Sequence, residues 1–285
     1  MTVTKVGVVG SGIMGGGITE VAALAGHEVV LRSRAQATAE GTVATIERSL
    51  AKRVDKGTLS EEERKDALAR ITATSNLHEL AECDLVIESV VEDLPTKRHL
   101  FSELDRICKD DTLLATNTST LPVIEMAMET GRPDKVCGIH FFNPAPMMKL
   151  VEVVRPITAS DETIETAKAF AEGCGKTAVL VKDQAGFIVN ALLFPYLNNA
   201  VRLLDQGVAT MEDIDEAMKG GCGFPMGPFA LLDLVGLDTS LAILDALYEE
   251  HRDPNYAAVP RIRRMVAAEL WGRKSGKGFY EYKRP

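Results

Sequence analysis

The order of hydrophobic and polar residues divides the chain into two parts. Up to residue 183, short apolar runs alternate with longer stretches in which apolar residues recur every three or four positions. The short runs predict strands at 5–9, 28–31, 71–74, 84–89, 112–116, 136–142, 150–154 and 178–181. The longer stretches predict helices at 13–25, 35–56, 96–108 and 162–174. Strands that alternate with helices favour an α/β fold with a doubly wound, mostly parallel sheet of the Rossmann type.

The strand pattern stops after residue 183. Helical spacing of apolar residues then predicts helices at 187–205, 211–219, 229–250 and 261–268. We therefore predict a dinucleotide-binding Rossmann domain at 1–184 and a second, all-helical domain at 185–285. The apolar faces of these helices are larger than four short helices can bury, so we expect this second domain to form a homodimer as well as to bind substrate.

Charge and cysteine content narrow the classes of partner. The chain has 32 basic and 41 acidic residues, and its net charge of −9 disfavours binding to nucleic acid and to anionic lipid. Five cysteines without a C-x-x-C pair indicate free thiols in the cytoplasm rather than a disulfide framework or a metal site. The stretch 185–201 contains no charged residue, but it is shorter than the roughly 20 apolar residues of a membrane span, so we expect no membrane partner.

A glycine-rich segment follows the first predicted strand and begins the first predicted helix. It reads Gly10-Ser11-Gly12-Ile13-Met14-Gly15 and matches the pattern G-x-G-x-x-G. Gly10 allows a tight turn, Gly12 lets the backbone approach a pyrophosphate, and Gly15 lets the helix pack close to the strand. We predict that the glycines, with Ile13 and Met14, bind a dinucleotide. A glycine-rich turn without a ligand is the alternative.

The choice between NAD and NADP depends on a position about 20 residues further along the chain. An Asp or Glu there would accept a hydrogen bond from the 2′-hydroxyl of NAD, but this chain has Ser33. Arg32 and Arg34 flank it and offer guanidinium groups that suit a 2′-phosphate. We therefore favour NADP, with Ser33 and Arg34 as ligands. In the alternative, both arginines are solvated and Ser33 contacts the unphosphorylated ribose of NAD.

Polar side chains follow two of the predicted strands at their carboxyl ends, where a Rossmann sheet binds its cofactor. Asn117 and Ser119 follow the strand at 112–116, and His140 lies near the end of the strand at 136–142. Glu152 lies within an apolar strand, where a lone buried carboxylate would be costly unless a cation pairs with it. We predict that His140 is that partner and that it accepts a proton from a substrate hydroxyl. A packed core histidine without a catalytic role is the alternative.

These motifs, taken in order, resemble the L-3-hydroxyacyl-CoA dehydrogenase family, and in particular its short bacterial members that act on 3-hydroxybutyryl-CoA. The resemblance covers essentially the whole chain. Besides the glycine segment it is carried by Val91-Glu92, Asn117-Thr118-Ser119, the motif from His140 to Pro146, Lys149-Leu150-Val151-Glu152, the motif from Gly186 to Asn190, Pro225-Met226-Gly227-Pro228 and the motif from Gly272 to Tyr280.

The resemblance implies a role for each matching residue. His140 would be the general base, Glu152 would orient it, and Ser119 and Asn190 would complete the catalytic set by hydrogen-bonding the substrate. Glu92, Lys97 and Asn117 would contact the cofactor, while Lys56 and Asn143 would contact the CoA substrate. Two positions depart from the family pattern: Ser33 stands where members that use NAD have an acid, and Ala191 stands where many members have Arg.

The resemblance implies an oxidoreductase that transfers a hydride between NADP or NAD and C3 of a short 3-hydroxyacyl-CoA. The expected pair is (S)-3-hydroxybutyryl-CoA and acetoacetyl-CoA, as in fatty acid and butanoate metabolism. Two alternatives stay open at this point. One is a hydroxyacid dehydrogenase with a substrate that lacks CoA, similar to gulonate dehydrogenase and lambda-crystallin. The other is a protein that binds the dinucleotide without catalysis.

Overall fold

The computed structural model describes residues 2–282, and the chain divides between Asp183 and Gln184 into two compact units. Each unit has a hydrophobic core of its own. The predicted fold class is confirmed, since a Rossmann-type sheet flanked by helices forms the first unit and helices form the second. The predicted use of the second unit for substrate and dimerisation stays a prediction.

One sheet forms the centre of the N-terminal unit. Within the described residues its strands are β1 (Lys5–Val9), β2 (Glu28–Arg32), β3 (Ile71–Thr74), β4 (Leu85–Glu88), β5 (Leu113–Thr116), β6 (Val136–Phe141), β7 (Leu150–Arg155) and β8 (Thr177–Lys182). Their order across the sheet is β3-β2-β1-β4-β5-β6-β7-β8. All neighbours are parallel except β6 and β7, which pair antiparallel. Helices on both faces require apolar strands, and every residue of β4, β5 and β6 is buried.

Six helices accompany this sheet in the described part of the chain: α1 (Ile13–Leu24), α2 (Gln36–Asp55), α3 (Glu61–Ala69), α4 (Leu94–Ile107), α5 (Val123–Ala127) and α6 (Asp161–Gly173). The hydrophobic pattern predicted four of them and missed α3 and α5. A capping box formed by Ser60 and Glu63 begins α3. The short α5 begins with its backbone N–H groups bound to the distant carboxylate of Asp183, at 2.9 Å from Val123 and 2.8 Å from Ile124.

The C-terminal unit contains α7 (Val189–Asp205), α8 (Met211–Cys222), α9 (Pro228–Val235), α10 (Leu237–His251) and α11 (Pro260–Ala267) among the described residues. The single helix predicted at 229–250 is wrong, because the chain breaks it into α9 and α10 at Gly236. Gly236 has a φ of +99°, which ends the regular helix and which only glycine adopts without strain. The apolar spacing continues across the break, so it carries no sign of the interruption.

Two buried carboxylates hold the loops of this unit. Asp215 accepts hydrogen bonds from the backbone N–H of Phe229 at 2.8 Å and from the Tyr280 hydroxyl at 2.9 Å. Asp233 accepts from the backbone N–H groups of Phe279 and Tyr280 at 2.9 and 2.8 Å. Burial raises the pKa of Asp233 above that of an exposed aspartate, and the hydrogen bonds oppose that shift. The motifs at Pro225–Pro228 and Gly272–Tyr280 therefore act, at least in part, in the packing of this unit.

The five cysteines are free thiols, and burial raises the pKa of Cys83 to about 12 and that of Cys108 to about 11. Among residues 2–282, no helix combines the length and the apolar character that crossing a bilayer requires. The same residues contain no group of three His, Cys, Asp or Glu side chains arranged to hold a metal ion.

Candidate active site

The glycine segment closes the turn between β1 and α1 in a conformation that excludes side chains at two positions. Gly10 has a φ of +122°, and a Cβ built on it would lie 2.1 Å from the backbone oxygen of Ser89. A Cβ on Gly15 would lie 1.9 Å from the backbone oxygen of Gly10. Both glycines are therefore needed for the turn itself, as the pattern predicted.

Gly12 differs, because a Cβ at this position would meet no protein atom within 4 Å. It is the N-cap of α1, where no side chain caps the helix and no acidic residue lies in the first turn. The N–H groups and the positive end of the helix dipole are thus left for an anion. Ile13 is 80% exposed beside this opening, and Met14 is half-buried. A dinucleotide pyrophosphate fits this open, uncapped helix start.

The residues predicted to contact the 2′-substituent of the cofactor's ribose lie at the end of β2. Ser33 is buried, and its hydroxyl lies 2.7 Å from that of Ser11 in the glycine segment. Arg34 is exposed, while the Arg32 Nε is buried and has no hydrogen-bond partner. The residue at the predicted specificity position therefore contacts the predicted phosphate loop.

His140 and Glu152 face each other across β6 and β7, the antiparallel pair of the sheet. They are direct register partners, and the His140 Nδ1 lies 2.8 Å from a Glu152 carboxylate oxygen. Both side chains are almost completely buried, at 4% and 1% exposure. A carboxylate only accepts hydrogen bonds, so Nδ1 carries the proton and donates it to Glu152. This assignment leaves a lone pair on Nε2 for a substrate proton.

Ser119 lies on the Nε2 side of the same histidine. Its hydroxyl oxygen is 3.1 Å from the His140 Nε2. Asn117, two residues earlier, accepts a hydrogen bond from the backbone N–H of Phe141 at 2.8 Å, which ties the segment after β5 to the end of β6. The structure therefore brings together Ser119, His140 and Glu152, which the sequence had placed on three separate segments.

A buried ion pair lies beside this segment and includes a residue that the sequence analysis did not select. The Lys97 ammonium is 2.7 Å from a carboxylate oxygen of Glu88 and 3.1 Å from one of Glu92. Lys97 and Glu88 are 1% and 0% exposed. Glu88 was missed because it ends an apolar run and looks like the edge of a strand. A single carboxylate at the end of such a run is the signal that could have found it.

Comparison with known proteins supplies the remaining observation. Residues 5–184 match the NAD binding domain of 3-hydroxyacyl-CoA dehydrogenase, and residues 186–282 match its C-terminal domain. The chain belongs to the 3-hydroxyacyl-CoA dehydrogenase family. This finding confirms the resemblance that the motifs indicated.

Several relatives within the family are similar over their full length. The chain is 46% identical to a 3-hydroxybutyryl-CoA dehydrogenase of Clostridioides difficile over 278 residues, which are 98% of this chain and 99% of that protein. Among solved structures, FadB2 of M. tuberculosis superposes with a TM-score of 0.97 at 45% identity and covers 99% of this chain and 100% of its own. (S)-3-hydroxybutyryl-CoA dehydrogenase PaaH1 from Ralstonia eutropha has a TM-score of 0.96 at 40% identity, with coverage of 99% and 100%.

The three remaining residues that the family resemblance implied for substrate binding lie in different settings. Lys56 is exposed at the carboxyl end of α2, and Asn143 is exposed and followed by a cis peptide bond to Pro144. Asn190 is the second residue of α7 in the C-terminal unit and is buried. Their roles, like those of the other site residues, stay predictions.

Proposed function

We propose that this member of the 3-hydroxyacyl-CoA dehydrogenase family interconverts (S)-3-hydroxybutyryl-CoA and acetoacetyl-CoA with a nicotinamide cofactor. The hydrogen-bonded set of Ser119, His140 and Glu152 carries the proposal, because it supplies a histidine base with its outer nitrogen next to a hydroxyl donor. The similar 3-hydroxybutyryl-CoA dehydrogenases of Clostridioides difficile and Ralstonia eutropha support the substrate class. A dinucleotide-binding protein without catalysis would have no use for this set.

His140 acts as the general base in the oxidising direction. Its Nε2 takes the proton of the substrate 3-hydroxyl as the C3–H bond breaks, and it returns the proton when the ketone is reduced. Glu152 fixes the tautomer of the ring and offsets the positive charge that the imidazole gains. Ser119 hydrogen-bonds the same oxygen of the substrate and directs it towards Nε2.

The nicotinamide, when bound, supplies the site that accepts or donates the hydride. We propose that the segment containing Gly10, Gly12 and Gly15 binds the pyrophosphate of the dinucleotide cofactor, and that the side chains of Ile13 and Met14 lie against the nucleotide. Further along the cofactor, we propose contacts from Asn117, Glu92 and Lys97. On the substrate side, Ser119 and Asn190 hydrogen-bond the acyl group, and Lys56 and Asn143 contact the CoA portion.

An initial-rate assay tests the substrate class. We expect the protein to oxidise NADPH or NADH with acetoacetyl-CoA at a kcat/KM at least about a hundredfold higher than with free acetoacetate, because loss of the CoA portion removes binding energy from the transition state. The absorbance at 340 nm follows both reactions. A preference for free acetoacetate would support a substrate without CoA. No oxidation with either compound would contradict the proposal.

The preference for NADP over NAD is a separate part of the proposal. It is supported by the absence of an acid at Ser33 and by the guanidinium of Arg34 beside it. We expect Ser33→Asp to lower the ratio of kcat/KM for NADPH to that for NADH by roughly tenfold or more, because a carboxylate repels the 2′-phosphate and accepts from a 2′-hydroxyl. Ser33→Asn is the control, because asparagine has nearly the same size as aspartate but carries no charge. A wild-type enzyme that already prefers NADH would overturn the NADP assignment.

We also propose that two copies of the chain associate through the helical unit. Leu192 on α7 is 72% exposed, and Leu203 and Val208 near the end of this helix are exposed as well. Apolar side chains at this density favour burial against a second copy. The cytoplasm, where thiols stay reduced, is the compartment that we propose for the protein.

A further inference from the structure

A buried ion pair supports the loop that carries Ser119. Glu88 ends β4, and Lys97 lies in the first turn and a half of α4, so the pair joins a strand of the sheet to the helix that follows it. The Lys97 ammonium also contacts Glu92, at 3.1 Å. Glu92 uses its other carboxylate oxygen to accept from the Thr118 hydroxyl and from the Ser119 backbone N–H, the latter at 3.0 Å.

A second route leads from Glu88 to the same loop. The other carboxylate oxygen of Glu88 accepts the Thr116 hydroxyl at 2.7 Å, and Thr116 is the register partner of Glu88 on β5. The oxygen of Thr116 in turn accepts the Thr118 backbone N–H at 3.1 Å. The Glu88 backbone oxygen accepts the Asn117 N–H at 2.8 Å. Glu88 thus holds the Asn117–Ser119 segment through side chain and backbone together.

A buried ion pair is in general a weak source of stability. Two charges removed from water lose solvation that their mutual attraction only partly restores, and apolar residues of similar volume commonly stabilise a protein as well or better. The three residues of β4 that precede Glu88 are apolar and fully buried, so the ion pair is a polar exception in apolar surroundings. Buried ionic groups with every oxygen hydrogen-bonded do, however, restrict their neighbours to one geometry.

We propose that Glu88 is a positioning residue for Ser119, and that Lys97 positions Ser119 in addition to its proposed contact with the cofactor. Through Glu92 and Thr116 they set the backbone of the Ser119 loop, and the backbone sets the 3.1 Å approach of the Ser119 hydroxyl to the His140 Nε2. Glu88 is 0% exposed and acts only through its neighbours. This inference rests on the proposed function, in which Ser119 and His140 handle the substrate oxygen.

A kinetic cycle tests the proposal with acetoacetyl-CoA. The double variant Glu88→Gln/Lys97→Met removes both charges together, so no unpaired charge is left buried. Glu88→Gln alone leaves the buried Lys97 ammonium with Glu92 as its charged neighbour, so its midpoint of thermal unfolding is measured alongside kcat. We expect the double variant to lower kcat roughly tenfold in the wild-type background and less than about twofold in a Ser119→Ala background, because residues that act through one another are not additive. Lys109→Met is the matched control. It removes an ion pair of the same 2.7 Å length, to Asp84 at the opposite end of β4, and kcat should stay unchanged.

A second measurement needs neither substrate nor cofactor. In Ser119→Cys, the introduced thiol lies beside the His140 Nε2, which favours its thiolate and speeds its alkylation by iodoacetamide. We expect Glu88→Gln/Lys97→Met to slow that alkylation at pH 7 by about fivefold, and Lys109→Met to leave it unchanged, with peptide mass spectrometry resolving the modified position.

The positioning role would be overturned if Ser119→Cys were alkylated at the same rate with and without Glu88→Gln/Lys97→Met. It would also be overturned if the double variant lowered kcat equally in the wild-type and Ser119→Ala backgrounds. The two proposals fail in different ways. If the alkylation rates differ as expected while the wild-type protein leaves acetoacetyl-CoA unreduced, then the network does position residue 119 and the proposed substrate is what must be replaced.

Discussion

His140→Ala is expected to lower kcat for acetoacetyl-CoA reduction by at least about a hundredfold, because a positioned general acid–base contributes roughly 10² to 10⁴ to the rate. The His140 Nδ1 already donates to Glu152 at 2.8 Å, so the ring is oriented before substrate binds, and its loss removes both the proton donor and the partner of a buried carboxylate. Steady-state kinetics measure the loss of kcat. Titration of the cofactor by fluorescence should give a dissociation constant close to that of the wild type.

His99→Ala is the matched control, since the His99 side chain is 77% exposed on α4 and its acidic neighbour within residues 2–282 is the partly exposed Glu103. We expect it to retain wild-type kcat. His140→Ala removes the imidazole that contacts the buried Glu152, so the midpoint of thermal unfolding should be measured alongside activity. A folded His140→Ala protein with more than about a tenth of wild-type kcat would contradict general acid–base catalysis by this residue.

Gly12→Ser is expected to weaken cofactor binding by roughly ten- to a hundredfold while leaving the fold at least as stable. A Cβ at this position meets no protein atom within 4 Å, so the added side chain has room in the space assigned to the pyrophosphate. Serine is also a favourable N-cap, and its hydroxyl would occupy an N–H group of α1 that an anion would otherwise bind. Loss of one charged hydrogen bond weakens binding by about 1.5–3 kcal/mol, which corresponds to that range of dissociation constants.

The opposite signs of these two effects make the test selective. Thermal unfolding should show an unchanged or raised midpoint, and fluorescence titration should show the weaker affinity for NADPH and NADH. Gly220→Ser on α8 is the matched control, because a Cβ there also meets no protein atom within 4 Å and α8 belongs to the unit without the glycine segment; it should not change the affinity. Wild-type affinity in Gly12→Ser would mean that the pyrophosphate lies elsewhere.

The hydrophobic pattern predicted most of the fold because buried parallel strands form short apolar runs. Each strand from β1 to β8 lies within a few residues of its predicted range. The hydrophobic pattern did not predict helix α3, because Ala67 is the single buried residue of this helix and an apolar stripe is therefore absent. For α5 the cause is different, since the carboxylate that caps it belongs to Asp183, 60 residues away in the chain. Contacts made by tertiary structure leave no periodicity in the sequence.

Some contacts of the candidate site could likewise be predicted from the sequence, and others could not. The pairing of His140 with Glu152 could be predicted because a charged residue inside an apolar strand needs a partner, and the observed distance bears out that contact. The contact between Ser11 and Ser33 could not be predicted from the sequence, because it depends on the turn that brings the end of β2 to the glycine segment. The support from Glu88 also depends on register, because Thr116 becomes its neighbour only when β4 and β5 align.

The antiparallel pairing of β6 with β7 has a consequence for refolding experiments. Side chains alternate between the two faces of a sheet, so a slip of β7 by a single residue would turn the Glu152 carboxylate away from the imidazole. Such a misaligned chain would retain nearly all of its helices and would look native by circular dichroism. Turnover that recovers later than the circular dichroism signal after dilution from urea is the result expected from such misaligned chains.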